Sequence, residues 1–476
     1  MIIDALRHAI TSYLPYKANA QQEKLIELLS DFIISDKQDS LFLLRGYAGT
    51  GKTSIVSALV KTLTSIKQKS ILMAPTGRAA KVLSNYANKQ AFTIHKQIYR
   101  QKSYSIEIEG YQISDNLNKN CIFIVDEASM ISNGSDYSGF GSGRLLDDMI
   151  EYVYAGEGCK MILMGDIAQL PPVGQQESPA LSLNNLRGYG LNITHYTLTE
   201  VARQSQDSGI LYNATNLRLI MHQGEPYPIP EIVVKGFNDV IKVGGAELID
   251  EISSSYYNAG TEDSIIITRS NKRANSFNNG IRNQILYREC ELEPGDMLLV
   301  VKNNYKWCND IKEIDFIANG DIVEVKRVRK TQEIYGLRFA DVEVRFRDYD
   351  IETEVKVILD TLHCETPALP QDITQRFFEE VYMDYEDIPL KRDRIKKIKD
   401  DPYFNALQIK YAYAITCHKA QGGQWRNVFL DMGNINKDHL GLDFFRWLYT
   451  AFTRATEKIY LINVADEFLD ESSREK

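Results

Sequence analysis

The sequence predicts an α/β protein with two parallel-sheet domains, a small β-hairpin inserted in the first and a small β-barrel inserted in the second. Three observations carry that expectation. Short, nearly continuous apolar runs recur at 41–44, 70–74, 121–125, 161–164, 264–267, 428–430 and 459–464, and runs without alternation suit strands buried on both faces of a parallel sheet. Residues 46–53 read GYAGTGKT, a phosphate-binding loop set between the first run and a helix-patterned segment, 54–63. From 294 to 406 the texture changes to alternating stretches, DIVEVKRV and ADVEVRFRDYDIETEVKVI, which suit antiparallel strands with one wet face.

Each apolar run ends in polar residues, among them Thr76, Asp126, Glu127, Asp166 and Arg269. Open α/β sheets place their ligand sites there, beyond the carboxyl edge of the strands. Between 95 and 120 the stretch SYSIEIEGYQIS alternates and turns near Glu109 and Gly110, the pattern of a hairpin. The glycine- and serine-rich segment 133–143 reads as a loop. Within the barrel segment, NGD at 319–321 is a turn signal, and the charged region 375–400 reads as a helical excursion. The basic residues Lys391, Arg392, Arg394, Lys396, Lys397 and Lys399 suit either phosphate tracking or a solvated helix face.

Composition sets the outer bounds. With 476 residues, 44% apolar and 25% charged, the chain is long enough for about two to four domains. No segment approaches the roughly 20 apolar residues of a membrane span. The start, MIIDALRHAI, carries Asp4 and lacks the apolar core of a signal peptide, so a cytoplasmic location and no membrane partner are expected. The cysteines at 121, 159, 290, 308, 364 and 417 form no C-x-x-C pair and read as reduced thiols. A net charge of −9 argues against coating nucleic acid through a broad basic surface but leaves room for a narrow basic channel. A motor that slides needs only modest phosphate contact.

The motifs name a chemistry. In the phosphate loop, Gly46, Gly49 and Gly51 let main-chain N–H groups turn toward phosphates, and Thr50 and Ser54 complete the nucleotide-facing set. Lys52 is expected to reach the β- and γ-phosphates and Thr53 to ligate Mg²⁺, which makes ATP and Mg²⁺ the expected cofactors. FIVDEAS at 123–129 ends a strand in two adjacent carboxylates: Asp126 for the Mg²⁺ shell, Glu127 to orient or deprotonate the attacking water. In LMGDIAQLPPVG, 163–174, Gln169 sits just past a strand and is stiffened by Pro171 and Pro172. A neutral amide there can hydrogen-bond a γ-phosphate.

GYAGTGKT, APTGRAAKVL, FTIHK, VDEAS, GDIAQLPPVG, LTEVARQ, YAITCHKAQGGQW and YTAFTRA follow one another along the chain in an order that resembles superfamily 1B DNA helicases of the RecD-like, Dda-like and Pif-type branch. The resemblance implies two RecA-like motor domains, 1–97 with 118–197 and 198–293 with 407–476. It also implies a hairpin pin (1B) at 98–117 and an SH3-like barrel (2B) at 294–406. It assigns adenine recognition to Gln22, with Gln21 beside it as the other candidate, and γ-phosphate contact to Arg203 and Arg454. Contacts to a single strand's backbone fall to Pro75, Thr76, Gly77, Thr93 and His95 in the first domain, and to Asn271, Thr416, His418 and Lys419 in the second.

The implied activity is ATP-dependent 5′ to 3′ translocation on single-stranded DNA with unwinding of the duplex ahead, and the implied partners are single strands, junctions of single- and double-stranded DNA, and replication, repair or recombination proteins. The competing readings are a motor or regulatory subunit of a recombination or nuclease complex, and an ATPase that remodels protein without nucleic acid. One departure stands out: Gly423 and Gln424 replace the serine and glutamate common in the fifth motif.

Overall fold

The computed structural model describes residues 2–101, 111–134, 141–201, 207–304, 306–308, 317–347, 351–433, 435 and 440–473. Two parallel sheets and one closed barrel organise them. The first sheet runs Ala91–Thr93, Ser70–Ala74, Ile122–Val125, Lys160–Gly165, Ser40–Gly46, Asn192–Leu198 from edge to edge. The second runs Ala414–Thr416, Ser264–Thr268, Trp425–Asp431, Ala455–Ile462, Val240–Val243.

The strand Ser40–Gly46 shows why its sequence is continuously apolar. Phe42 and Leu44 face one way, into a core with Leu25, Leu29, Ile55 and Leu59 of helices Ala20–Ile34 and Lys52–Ser65. Leu41 and Leu43 face the other way, into a core with Leu146, Met149 and Val153 of helix Leu145–Tyr154. Successive strand residues point to opposite faces, so a sheet covered on both sides needs apolar residues at every position.

Every predicted run overlaps a strand of these sheets, with Cys121, Asn463 and Val464 falling just outside theirs. The strands without such a run are the outer ones: Ala91–Thr93, Asn192–Leu198, Val240–Val243 and Ala414–Thr416. Asn192–Leu198 is largely half-buried or exposed, and a strand paired on one side does not need an unbroken apolar run.

The barrel is formed by Met297–Val300, Ile322–Ile334, Leu337–Phe346, Ile351–Ile358 and Leu407–Tyr411. Its last strand corrects the expected boundary at Ala406. Leu407–Tyr411 pairs antiparallel with Met297–Val300 and parallel with Ile351–Ile358, closing the barrel before the chain enters Ala414–Thr416 of the second sheet. All five of its residues are buried, because the strand is covered by the barrel and by the sheet domain at once. Barrel and second sheet share one continuous core. The helices Gln371–Asp384 and Lys391–Lys399 pack Phe377, Val381 and Ile398 against the barrel residues Leu337, Phe339 and Ile358.

The hairpin pairs Tyr99–Gln101 with Tyr111–Ile113; its expected tip lies outside the described residues, as does most of the loop at 133–143. The cysteines are free. Among the described residues no helix is long and apolar enough to cross a membrane.

Candidate active site

The phosphate loop joins strand Ser40–Gly46 to helix Lys52–Ser65. Gly49 and Gly51 take φ values of +73° and +87°, a backbone region costly for any residue with a Cβ. A Cβ on Gly51 would also come within 2.5 Å of Gln22 Nε2 and 2.6 Å of the Tyr16 hydroxyl. Gln22 is buried; its Nε2 donates to Thr50 O (3.0 Å), and its Oε1 accepts from Asn19 N–H (3.1 Å). Gln21 instead accepts from the N–H groups of Thr199 and Glu200. The two glutamines are thus distinguished: Gln22 abuts the loop and Gln21 braces the chain leaving the first sheet. Thr50 Oγ1 donates to Tyr47 O. Lys52 Nζ curls into the loop, donating to Gly46 O (2.6 Å) and Tyr47 O (2.8 Å). Thr53 is exposed and Ser54 half-buried in the first helical turn.

Asp126 and Glu127 follow Ile122–Val125, and Asp166 follows the neighbouring strand Lys160–Gly165, so their carboxylates gather at one sheet edge. Asp126 accepts from the Tyr86 hydroxyl and from Glu127 N–H. Glu127 has a φ of +53°, an uncommon conformation for a residue with a Cβ. Burial raises the pKa of all three carboxyls, that of Glu127 to about 7, while the charges of Lys52 and Arg454 pull each back down. Cations from both halves of the chain therefore act on one carboxylate cluster.

The loop glycines, Lys52 and these carboxylates fit a nucleoside triphosphate with Mg²⁺. Among the described residues no group of three or more His, Cys, Asp or Glu side chains could hold a metal by itself. Mg²⁺ takes one or two protein ligands and completes its shell with phosphate oxygens and water. Thr53 and Asp126 are the candidate protein ligands.

The second sheet domain closes the cluster from the other side. The Tyr449 hydroxyl donates to Asp166 Oδ2 (2.6 Å) and accepts from Ala48 N–H (2.8 Å) of the phosphate loop. Leu170 N–H donates to Thr450 Oγ1 (2.8 Å), and Gln421 Nε2 to Leu170 O (2.6 Å). Gln169 is buried, and its Oε1 has no partner among the described residues. Arg454, also buried, donates to Thr450 O (3.1 Å), Gly423 O (3.2 Å) and Thr453 Oγ1 (3.2 Å). Arg203 lies outside the described residues.

The candidate strand-binding residues fall at matching places in the two sheets. Ala74 and Thr93 are register partners at the ends of adjacent strands, so Pro75, Thr76 and Gly77 lie beside Thr93 and His95. Thr76 and Thr93 each cap a helix, accepting from Ala79 N–H and Lys96 N–H. In the second sheet Thr268 and Thr416 are register partners, which brings Asn271 beside Thr416, His418 and Lys419. Asn271, Thr416 and Lys419 line one shallow hollow with the barrel residues Leu299 and Val301. Burial pushes His95 down to about 4 and Lys419 down to about 8, and lowers His418. His95 is therefore neutral at pH 7 and offers a hydrogen bond rather than a charge.

Several residues here escaped the sequence reading. Tyr86 and Asn319, which accepts from Lys419 Nζ, carried no signal beyond the turn at 319–321. Tyr449, Arg78 and Trp425 sat inside quoted motifs without a role. Arg78 bears on the departure in the fifth motif: a Cβ on Gly422 would lie 2.9 Å from Ala79 Cβ, and one on Gly423 2.5 Å from the Trp425 ring and 2.9 Å from Arg78 Nε. The loop is pressed onto the first domain, and glycine is what fits.

Two family models match the chain in succession. Residues 17–219 match the AAA domain family and residues 411–462 the UvrD-like helicase C-terminal domain. An uncharacterized protein, R530, of Acanthamoeba polyphaga mimivirus is 23% identical over 93% of this chain and 99% of its own length. The ATP-dependent RecD2 DNA helicase of Deinococcus radiodurans is 22% identical over 92% of this chain, which spans 48% of that protein. A crystal structure of Pif1 helicase from Bacteroides, in complex with ADP-AlF3 and ssDNA, aligns with a TM-score of 0.47 and 16% identity over 95% of this chain and 94% of its own. A helicase C-terminal match follows the phosphate-loop match, with the motifs in order through both, so the chain is similar to superfamily 1B helicases of the Pif/RecD type.

Proposed function

We propose that this chain hydrolyses ATP with Mg²⁺ to move 5′ to 3′ along single-stranded DNA and to unwind the duplex ahead. The observation that carries this is the convergence of Lys52 from one sheet domain and Arg454 from the other on the half-buried carboxylates Asp126 and Glu127 and the buried Asp166. Bound ATP supplies the phosphoanhydride whose hydrolysis drives the cycle. The phosphate-loop N–H groups and Lys52 would hold the phosphates, Asp126 and Thr53 would hold the metal, and Glu127 would take a proton from the attacking water. Arg454 and Arg203 stabilise negative charge only when the two domains close. Because Arg454 also holds Gly423 O, closure is tied to the fifth-motif loop and through it to the strand-binding edge.

The matching residues of the two sheets support an alternating grip on one strand, with Thr76, Thr93 and His95 on one side and Asn271, Thr416, His418 and Lys419 on the other. Such residues contact phosphates and sugars without reading bases. The proposed division is 1–97 with 118–197 and 198–293 with 412–476 as motor domains, 98–117 as the pin and 294–411 as the barrel that braces it.

The test is ATP hydrolysis with and without single-stranded DNA, followed by unwinding of duplexes with a 5′ or a 3′ tail. Stimulation with unwinding from the 5′ tail alone, both abolished by Lys52→Ala, is the expected result. Stimulation without unwinding points to a translocase or a partner-dependent subunit, and no stimulation rules out a nucleic-acid motor.

A further inference from the structure

A cavity of about 270 Å³ lies at the seam behind the carboxylate cluster, between the first sheet domain and helices Gly209–Gln223 and Leu442–Phe452. Its wall is rich in cations. Arg45 stands at the end of the strand that feeds the phosphate loop, Arg218 lies on the first of these helices, and Arg446 on the second. Each guanidinium donates to a main-chain carbonyl rather than to a carboxylate: Arg45 Nη2 to Leu181 O (2.5 Å), Arg218 Nη1 to Thr199 O (2.9 Å) and Arg446 Nη1 to Gln176 O. Arg218 is nine-tenths buried and stacks 4.4 Å from the Tyr47 ring centroid. The carboxylates on the wall are Asp166, already engaged by Tyr449 and Ala168 N–H, and the exposed Glu177.

Two further donors are unspent. The buried Ser129 hydroxyl and the Arg45 Nε–H have no partner among the described residues, and both residues line the cavity. Buried polar groups left unpaired are costly, and three guanidinium groups on one cavity wall, opposed by Asp166 and by the charge of the exposed Glu177 on Arg45 and Arg446, favour an oxyanion held by forked hydrogen bonds. Gln169, the amide placed to sense the γ-phosphate, lines the same wall, so the cavity abuts the reaction centre. Its volume exceeds the roughly 30 Å³ occupied by one water several-fold.

We propose that this cavity is a second oxyanion site, held by Arg45, Arg218, Arg446 and Ser129, which receives orthophosphate after it leaves the carboxylate cluster. The source of the phosphate rests on the reading of the chain as an ATP hydrolase; the anion chemistry of the cavity does not.

The two are separated by titrating inorganic phosphate into the full chain saturated with Mg²⁺ and a non-hydrolysable ATP analogue, at constant ionic strength, and following the melting temperature. A saturable rise is expected, weakened about tenfold or more in apparent affinity by Arg446→Gln, with analogue binding retained. Arg446→Lys, which keeps the charge and loses the fork, should fall between; it also serves if the glutamine variant does not fold. A phosphate response that disappears once the analogue is bound assigns the anion to the phosphate loop and overturns the proposal, as does a response equal in wild type and both variants. Failure of the analogue itself to bind would instead strike the ATPase reading, and phosphate binding to the analogue-free Lys52→Ala chain then decides the cavity alone: saturation lost on adding Arg446→Gln supports it, and no saturation overturns it.

Discussion

The Arg78 guanidinium stacks 3.9 Å from the ring centroid of Trp425 and donates to Gln424 O at 3.1 Å. Arg78 opens the helix after the second strand of the first domain, and Trp425 begins a central strand of the second sheet. The contact therefore crosses between the motor domains, next to the glycine that departs from the common fifth motif.

Restoring the common serine should break this contact. In Gly423→Ser the added side chain meets both Trp425 and Arg78, and a cation–π contact contributes about 1 kcal/mol. DNA-stimulated ATP hydrolysis should fall about fivefold, with DNA-independent hydrolysis little changed, and Arg78→Ala should do the same. Unaltered stimulation in both variants would show that the stack does not couple the domains.

Tyr449 joins the phosphate loop to the carboxylate cluster from across the seam. Tyr449→Phe leaves a buried carboxylate and the Ala48 N–H each short of a partner, at a cost of about 1–3 kcal/mol. Urea unfolding should shift to lower denaturant by that amount; a midpoint equal to wild type would mean water replaces the hydroxyl at no cost.

Arg454 approaches the cluster from the opposite domain, and an arginine acting on a transferring phosphoryl group contributes about 10³-fold or more to kcat. Arg454→Ala should lower kcat on that scale while a fluorescent ATP analogue binds within about threefold of wild type. Comparable losses in kcat and in nucleotide affinity would assign the residue to ground-state binding.

Lys419 gives the pH dependence its sign. Burial lowers its pKa to about 8, and a DNA phosphate favours the charged form, so binding takes up a proton once the free lysine is neutral. Affinity for single-stranded DNA, followed by fluorescence anisotropy, should hold to about pH 8 and then fall by up to about tenfold per pH unit. For folding the direction is opposite. An amine whose folded pKa is depressed costs stability below that pKa, and the cost is relieved as pH rises from about 8 toward the unfolded value. Lys419→Arg, charged throughout, should flatten the binding profile; an unchanged slope would remove Lys419 from the phosphate contact.

Much of this protein was legible along the chain because the signals are local. A strand covered on both faces must be apolar at every position, and a loop that wraps phosphate must be glycine-rich, so the inner strands, the phosphate loop and the carboxylates Asp126 and Glu127 could be named from their neighbours alone. The order of the motifs added the family resemblance. The outer strands were silent because one-sided pairing relaxes that demand, and the barrel's end was displaced because Leu407–Tyr411 serves two layers at once. Tertiary structure alone set Arg78 against Trp425, Tyr449 between Ala48 and Asp166, and three guanidiniums around one cavity. Those contacts join residues hundreds of positions apart, and periodicity records which face of an element is buried without recording what it is buried against.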